Sequence, residues 1–521
     1  MNNKMAVRGG AGDILEPKVG TRPQDNLYLA VNSEWLENVK IPSDRSRIAS
    51  FDNIDLDVEK KLMKDFADFA DGKKEVADVP NLKKAVELYK LARDFKRRDE
   101  DGAKPIQADL ALLEGIRDFA DFNLKAPDLF KAAFALPFSF DVDADMKNTK
   151  INVLQFFGSS IFLPDTTTYK TDAAQKLLDV LKKQSIELLK MAGLSVGQAE
   201  EYVDDAMKFD DKVSKVVKSS EEWADYPAMY NPMPISDFEK KITNFKMDYF
   251  LKEALGEVPD RVIVAEPRYL DHFDELINED NFDEIKGWMI VKFINGVASY
   301  LSQDFREASF PFSQALSGQP ELQSQEKQAY HLANGIFSEV VGVYYGKTYF
   351  GEDAKKDVLS MIHKMLDVYE ERIKNNDWLS EETKHKAIVK LRALILKIGY
   401  PDKIEEIYDR LHVTPASEGG SLYSNARAAE IEQVKYNVEK LHKPVDRTVW
   451  LMPGNLVNAC YDPQRNDLTF PAAILQAPFY DLKQDRAENF GGIGTVIAHE
   501  VSHAFDNNGA QFDEYGNMKN W

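Results

Sequence analysis

Two histidines four residues apart, with a glutamate directly after the first, lie near the end of the sequence: His499, Glu500 and His503. On a helix, residues four apart lie one turn above each other, so both imidazoles can reach one metal ion. Neutral imidazole suits zinc, and zinc lowers the pKa of a water molecule that it binds. A carboxylate beside that water can take its proton and deliver it to a leaving amine. The pattern therefore predicts zinc-dependent hydrolysis of amide bonds, with Glu500 as the base.

The residues around this pattern must form a helix that holds both imidazoles, and we expect it over 493–505. Three glycines, Gly491, Gly492 and Gly494, lie at its start. Its apolar residues fall on one stripe beside the histidines, which indicates a helix anchored in a core rather than a solvated helix with two surface histidines. These apolar residues are Ile493, Val496, Ile497, Val501, Ala504 and Phe505.

A catalytic zinc site normally takes three protein ligands, so one remains to be found. The metzincin pattern continues with a glycine and a further histidine where this chain has Asp506 and Gly509, which excludes that class. The other large class takes a glutamate from a separate helix downstream. Glu514 is the one glutamate after the motif and stays an alternative ligand, while its turn-like surroundings favour a solvated residue.

Composition and charge narrow the functional classes. The formal net charge of −21 argues against nucleic acid, whose phosphates need a basic surface, and against an anionic membrane surface. Cys460 is the only cysteine, so no disulfide can form within the chain, and we interpret it as a packing residue. The N-terminus has no apolar segment typical of a secretory signal, and no apolar run is long enough to span a membrane. We therefore expect a cytoplasmic protein.

Helical periodicity dominates the sequence from about 57 to 433, with few strand signals. One mid-chain segment has a capping candidate, Ser380 with Thr383, followed by a periodic apolar face that continues to Gly399 and Pro401. The sequence thus predicts a large helical body.

Small and polar residues near 420 mark a boundary, after which the pattern changes. Three β-like runs follow, at 448–453, 456–461 and 467–475. Turn-forming residues between the last two runs predict a hairpin or a pair of neighbouring strands.

Three stretches of the sequence resemble the neprilysin-type (M13) zinc metallopeptidases, most closely their bacterial oligoendopeptidase O branch. The first runs from Arg22 to Ile54, and the second runs from Asp377 to Lys403. The third comprises VNACYDPQRNDLTFPAAILQAPFYD together with the segment from 489 to 521, which contains the zinc motif. Because several motifs occur in the family's order, the resemblance spans essentially the whole chain.

The resemblance implies a mainly α fold with a small β portion. A thermolysin-like zincin catalytic domain, incomplete at its C-terminus, would carry a large inserted all-helical domain that caps the active site. The resulting chamber would admit peptides but not folded proteins. The expected division is an N-terminal tail over 1–21, a first catalytic segment over 22–56, the inserted domain over 57–420, and the rest of the catalytic domain over 421–521.

The resemblance also assigns roles to residues outside the zinc motif. Asn458 and Ala459 match a pair that holds the substrate backbone, as an edge strand can do for an extended peptide. Arg47 and Asp52 align with a pair near the distal substrate pocket, and a surface salt bridge explains them nearly as well. Asp506 matches an aspartate that orients a ligand imidazole, and its alternative is a polar residue at the helix C-terminus.

The third zinc ligand is implied by the resemblance to lie on a separate helix beyond Trp521. The 521 residues are accordingly expected to be inactive alone, as one piece of a nicked or incompletely represented enzyme or as a truncated product. A non-catalytic peptide- or protein-binding relative is the alternative function. The expected enzyme binds one Zn²⁺ per complete site and acts on oligopeptides, as a monomer or with a separate C-terminal fragment that completes the site.

Overall fold

Helices make up most of the computed structural model, which describes residues 7–8, 14–15, 18–519 and 521. Polar caps start several of them: the side chains of Asn26, Ser195 and Ser421 accept hydrogen bonds from the first turns of the helices that follow. The helices in the first part of the chain are α1 (Leu27–Asn38), α2 (Ser50–Ala70), α3 (Leu82–Arg93), α4 (Phe95–Asp101), α5 (Gln107–Glu114), α6 (Phe119–Lys131), α7 (Ala174–Met191), α8 (Val196–Ser214), α9 (Ser220–Trp223), α10 (Ile235–Lys240), α11 (Met247–Leu255), α12 (Pro267–Asp271) and α13 (Phe273–Leu276).

The second part of the chain is also mainly helical and ends with the helix of the zinc motif. Ser380 accepts a hydrogen bond from the N–H of Thr383, as the predicted cap requires. The helices are α14 (Phe282–Val297), α15 (Gln303–Ala308), α16 (Phe310–Ser317), α17 (Gln325–Ile336), α18 (Ser338–Tyr345), α19 (Glu352–Lys374), α20 (Glu381–Arg392), α21 (Ile407–Arg410), α22 (Leu422–Val438), α23 (Arg486–Gly491) and α24 (Ile493–Ser502).

Two short strands fall in the predicted N-terminal tail, 1–21. They are β1 (Val7–Arg8) and β2 (Ile14–Leu15), and they pair antiparallel. The rest of residues 1–17 lies outside the described residues, and the prediction of a tail is not tested there.

We expected the large body between 57 and 420 to be all-helical, and this expectation was wrong. It contains a four-stranded sheet in the order β3–β4–β6–β5, in which β4 and β6 are parallel and the other pairs are antiparallel. Strand β3 shows the alternation of buried and exposed residues that a strand requires: Phe140 and Val142 are buried, and Asp141 lies between them. The strands are β3 (Ser139–Asp145), β4 (Asn148–Phe157), β5 (Pro232–Pro234) and β6 (Arg261–Val264).

A second sheet has three strands in the order β7–β9–β8, and the helix of the zinc motif packs against it. The strands are β7 (Ile395–Gly399), β8 (Cys460–Asp462) and β9 (Asp467–Pro471). The predicted hairpin is present as β8 and β9, whereas 448–453 forms no strand. The apolar run that we assigned to a helix up to Gly399 is also corrected, because α20 ends at Arg392 and β7 follows. Its residues pair in parallel with β9, so a distant partner decides their conformation.

One core joins elements on both sides of the predicted boundary at 420. Val358 and Ile362 of α19, Ile398 of β7, Phe470 of β9 and Ile497 of α24 all belong to it. Helix α22, which follows the boundary, packs instead on α3, α6 and β3 of the helical body. Residues from before and after 420 therefore pack together both in the core around the zinc helix and in the helical body. The division into domains stays a prediction.

The N-terminal segment and the helical body both contact the part of the chain that holds the zinc motif. The ring of Phe51 lies 5.0 Å from that of Phe479, and α2 packs on residues 472–474. From the helical body, the carbonyl of Ala224 accepts a hydrogen bond from the Asn508 side chain at 2.9 Å. In the described part of the chain, no helix is both long and apolar enough to cross a bilayer.

Candidate active site

Helix α24 begins at Ile493, and the residue before it has room only for glycine. A Cβ on Gly492 would lie 2.4 Å from the carbonyl oxygen of Phe479, and the N–H of Ile493 donates to that same oxygen at 2.8 Å. Ile493, Ile497 and Val501 are completely buried in the core that α24 shares with the three-stranded sheet. The predicted apolar stripe therefore anchors the helix and leaves its histidine face outside the core.

The helix ends at Ser502 rather than at the predicted 505, with His503 as its C-cap. The tight return of the chain explains the difference. A Cβ on Gly509 would lie 1.8 Å from the carbonyl oxygen of His503, so the backbone folds directly against the helix end. The residues after His503 form a turn that lies beside the helix instead of lengthening it.

The Nε2 atoms of the two histidines lie close together. Nε2 of His499 and Nε2 of His503 lie 3.1 Å apart, with the two rings almost perpendicular. A tetrahedral ion at about 2.0–2.1 Å from both nitrogens would hold them about 3.3 Å apart. The donor type and the separation therefore fit zinc.

The carboxyl of Glu500 lies beside this pair and on the buried side of the helix. Its residue is 7% exposed, and the backbone N–H of Tyr461 on β8 faces the carboxyl. Burial raises the pKa of Glu500, and the nearby His503 and His499 oppose this rise only in part. Possible ligand atoms of Glu500 and both histidines all lie within 4.8 Å of one another.

Asp506 contacts the far side of the second imidazole. Its Oδ2 lies 2.7 Å from Nδ1 of His503, and its Oδ1 accepts from the N–H groups of Asn508 and Gly509 at 3.0 and 2.8 Å. Burial alone would raise the pKa of Asp506, but these hydrogen bonds keep it below its ordinary value. An ionised Asp506 can only accept a hydrogen bond, so it favours the His503 tautomer in which Nδ1 carries the hydrogen and Nε2 carries the lone pair.

Asn458 and Ala459 lie directly before β8, at the edge of the three-stranded sheet. The side chain of Asn458 is exposed, and its Oδ1 accepts a hydrogen bond from the N–H of Ala459 at 2.9 Å. Within the described residues, β8 pairs only with β9, so β8 is an edge strand, and Asn458 and Ala459 lie outside that pairing. The pair is thus placed where an added strand could bind.

Arg47 and Asp52 contact each other, with 3.5 Å between Nε and the nearest carboxylate oxygen. The Arg47 side chain is 83% exposed and that of Asp52 is 15% exposed. In the described part of the structure, no hydrogen bond or ion pair joins either residue to the zinc motif.

Comparison with known proteins places the chain in a family. Two family models, both described as peptidase family M13, match residues 23–401 and 458–521. The chain belongs to peptidase family M13. It is 61% identical over 521 residues to the neutral endopeptidase of Lactobacillus helveticus, and this match covers all of the chain and 80% of that protein.

Solved structures of M13 relatives share the fold. PepO from Lactobacillus rhamnosis HN001 matches with a TM-score of 0.89 and 37% identity, over 96% of this chain and 79% of that one. The Mycobacterium tuberculosis zinc metalloprotease Zmp1, in complex with an inhibitor, matches with a TM-score of 0.86 and 26% identity, over 97% and 76% of the two chains. These findings confirm the predicted family, the mainly α zincin fold class and the prediction of a metalloendopeptidase.

Two residues that support the M13 site were not singled out in the sequence. The hydroxyl of Tyr369 on α19 donates at 2.8 Å to the carbonyl of Ala498, directly before the first histidine. Lys390 on α20 donates to carbonyls of the segment after the second histidine. The sequence places Lys390 between Ala387 and Leu391 on the apolar face of its helix, which indicates that Lys390 is buried but not which residues it contacts.

Proposed function

We propose that this M13 peptidase is a zinc-dependent endopeptidase that hydrolyses peptide bonds within oligopeptides. The observation that carries the proposal is the convergence of Nε2 of His499 and Nε2 of His503 beside the buried carboxyl of Glu500. The two imidazoles would hold the ion. When bound, zinc acidifies a water molecule and polarises the scissile carbonyl.

Glu500 is the proton carrier in this proposal. Because burial raises its pKa, its carboxylate holds a proton more tightly than a solvated glutamate does. Such a group can take a proton from water and pass it to the leaving amine. The adjacent Tyr461 N–H keeps the carboxyl on the side of the helix that faces β8.

Asp506 sets the state of the second ligand. Because it accepts a hydrogen bond from Nδ1–H, it holds the His503 ring in the tautomer whose Nε2 carries a lone pair. His499 has no such partner among the described residues, so the two imidazoles are held unequally.

The substrate would bind as an extended strand along the sheet edge at Asn458 and Ala459, directly before β8. Main-chain hydrogen bonds at an edge strand recognise a peptide without regard to its side chains, which suits a peptidase that acts on many oligopeptides. Asn458 adds an exposed amide beside this edge, next to Ala459. The exposed Arg47 is free to bind a substrate carbonyl or carboxylate, since its 3.5 Å contact with Asp52 is long for an ion pair.

The third zinc ligand would come from outside the described residues. Within them, the possible ligands at the site are His499, Glu500 and His503, and Glu514 does not join this group. A catalytic zinc normally has three protein ligands, and Glu500 is needed as the base. We therefore propose that the described residues alone hold zinc weakly and cleave peptides poorly.

We also propose a division of the chain that follows its cores. The catalytic part would comprise the N-terminal segment, residues 352–399 with α19, α20 and β7, and the segment from β8 onward. The helical body with the four-stranded sheet would form the cap. The shared core of α19, β7, β9 and α24, together with the 5.0 Å contact between Phe51 and Phe479, supports this division.

The function is tested with the protein expressed from its own gene and an internally quenched oligopeptide. We expect cleavage within the peptide, its loss after zinc is removed with a chelator, and its recovery when zinc is added back. Cleavage that survives complete removal of zinc would contradict the proposal. Peptide binding without any cleavage by the zinc-loaded protein would instead establish the non-catalytic alternative.

A further inference from the structure

Lys390 is a buried cation whose hydrogen bonds all end on the backbone. The residue is 1% exposed, and its Nζ donates to the carbonyls of Ala504, Gly509 and Phe512 at 2.7, 2.5 and 2.8 Å. An ammonium group has three donors, so each one is used. Among the described residues, no carboxylate is hydrogen-bonded to Nζ, and burial lowers the pKa of Lys390 to about 8 although Asp513, Asp506 and Glu514 oppose the shift. Burying a charged group costs free energy unless it is hydrogen-bonded, so the three carbonyls are needed to hold Lys390 in this place.

The three carbonyls belong to the turn that follows the zinc helix. Ala504 is the residue after the second histidine, and Gly509 and Phe512 lie at the other end of the turn. Asp506 lies between them and accepts a hydrogen bond from the N–H of Gly509 at 2.8 Å. Lys390 thus joins both ends of the turn that carries Asp506, and Asp506 contacts His503.

Asn466 ties the backbone of Lys390 to the three-stranded sheet. Its Nδ2 donates to the carbonyls of Lys390 and Glu514, both at 3.1 Å, and its Oδ1 accepts from the hydroxyl of Tyr461 at 3.0 Å. Asn466 is fully buried and has a φ of 49°, a left-handed conformation that asparagine tolerates. The helix end, the hairpin and the turn are therefore connected through two polar residues.

We propose that Lys390 is a positioning residue for the metal site, acting through the 504–512 turn on Asp506 and so on the His503 imidazole. This inference rests on the proposed function. It adds that a residue 113 positions before the second ligand sets how firmly that ligand is held. Residues that orient a metal ligand through hydrogen bonds commonly change metal affinity about 10–100-fold when they are removed.

A measurement of zinc affinity tests the inference. The protein is expressed from its own gene, and its affinity is measured by competition with a chromophoric chelator. We expect Lys390→Met to weaken zinc binding about tenfold. The double variant Lys390→Met/Asp506→Ala should bind zinc no more weakly than Asp506→Ala alone, because both changes break the same chain of contacts. Wild-type affinity in a folded Lys390→Met protein would overturn the inference, and so would losses that add fully in the double variant.

Lys286 provides a matched control in the helical body. Its Nζ also donates to two backbone carbonyls, those of Glu114 and Ile116, at 2.6 and 2.9 Å. Lys286→Met should leave zinc affinity unchanged, and an equal loss in both variants would show a general effect of stability and contradict the positioning role.

A milder variant covers the case in which Lys390→Met does not fold. Lys390→Gln keeps two N–H donors for three carbonyls, so it should bind zinc more weakly than the wild type, and unchanged affinity would again overturn the inference. If the wild-type protein itself binds no zinc, the proposed function fails as well. If the wild type binds zinc normally and only the Lys390 effect is missing, the positioning role alone fails.

Discussion

The Nδ1 atom of His503 lies 2.7 Å from a carboxylate oxygen of Asp506, three residues further along the chain. The same aspartate accepts two backbone N–H groups from the turn that follows. One side chain therefore fixes both the shape of the turn and the orientation of the imidazole. Asp506 therefore contacts the His503 ring on the side away from Nε2, and this arrangement leads to several predictions.

Removal of the Asp506 carboxylate should weaken zinc binding. We expect Asp506→Ala to reduce zinc affinity about 10–100-fold, because His503 loses the acceptor that fixes its tautomer. Chelator competition measures this change. Asp402→Ala is a suitable control, since Asp402 pairs with Lys355 and its side chain is 92% exposed. Equal zinc affinities for the wild type and Asp506→Ala would contradict the role given to this residue.

Glu514 should be dispensable for zinc binding. Its backbone carbonyl accepts a hydrogen bond from Asn466, but its side chain does not join the group of possible ligands around His499 and His503. We expect Glu514→Gln to leave zinc affinity unchanged in the same chelator assay. A large loss would show that the third ligand lies within the described residues.

The glycines before the zinc helix should differ sharply in their tolerance of a methyl group. A Cβ on Gly492 would lie 2.4 Å from the Phe479 carbonyl oxygen, whereas a Cβ on Gly491 meets nothing within 4 Å. We expect Gly492→Ala to lower the free energy of unfolding by about 1–3 kcal/mol. Gly491→Ala, at the end of α23, should be neutral or stabilising by up to about 1 kcal/mol. Thermal or urea unfolding of both variants measures the difference, and equal stabilities would contradict the described geometry.

Glu339 should make the stability of the fold depend on pH. It is 7% exposed, and burial raises its pKa from 4.5 to about 7. A carboxyl with a raised pKa contributes stability that is fully present below about pH 4.5 and is lost as the pH rises through about 7. Glu339→Gln keeps an oxygen for the Glu405 N–H, which donates at 2.6 Å, and cannot ionise.

The Gln variant should therefore gain on the wild type as the pH is raised from 5 to 8, by about 1–3 kcal/mol in the free energy of unfolding. Urea unfolding at a series of pH values measures this. A constant difference between the two proteins across that range would show that the pKa of Glu339 is the same in the folded and unfolded states, which would contradict the effect of burial.

The core of the site could be predicted because its information is local. His499, Glu500 and His503 lie within one turn and a half of helix, and the apolar residues on the same helix fix which face is buried. Asp506 is also local, being three residues from the ligand that it contacts. By contrast, Lys390 meets the site across more than a hundred residues of sequence, and its spacing gives no sign of that contact.

The wrong predictions of secondary structure also result from contacts between residues that are distant in sequence. The apolar run at 395–399 has the same appearance in a helix and in a buried strand, and it becomes β7 because β9 pairs with it 72 residues later. In the helical body, β4 pairs with β6 across an even longer gap, as Gln155 pairs with Ile263. The start of α20, capped by Ser380, was predicted correctly because this cap depends only on neighbours in sequence.

The measurement that tests the central claim most directly compares Glu500→Gln with the wild type, both expressed from their own gene and loaded with zinc. The amide is nearly the same size as the carboxylate but cannot accept the proton. We predict that zinc content is unchanged while kcat/KM for an oligopeptide falls about 10²–10⁴-fold. Cleavage within a few-fold of the wild type at equal zinc content would contradict the assignment of Glu500 as the base.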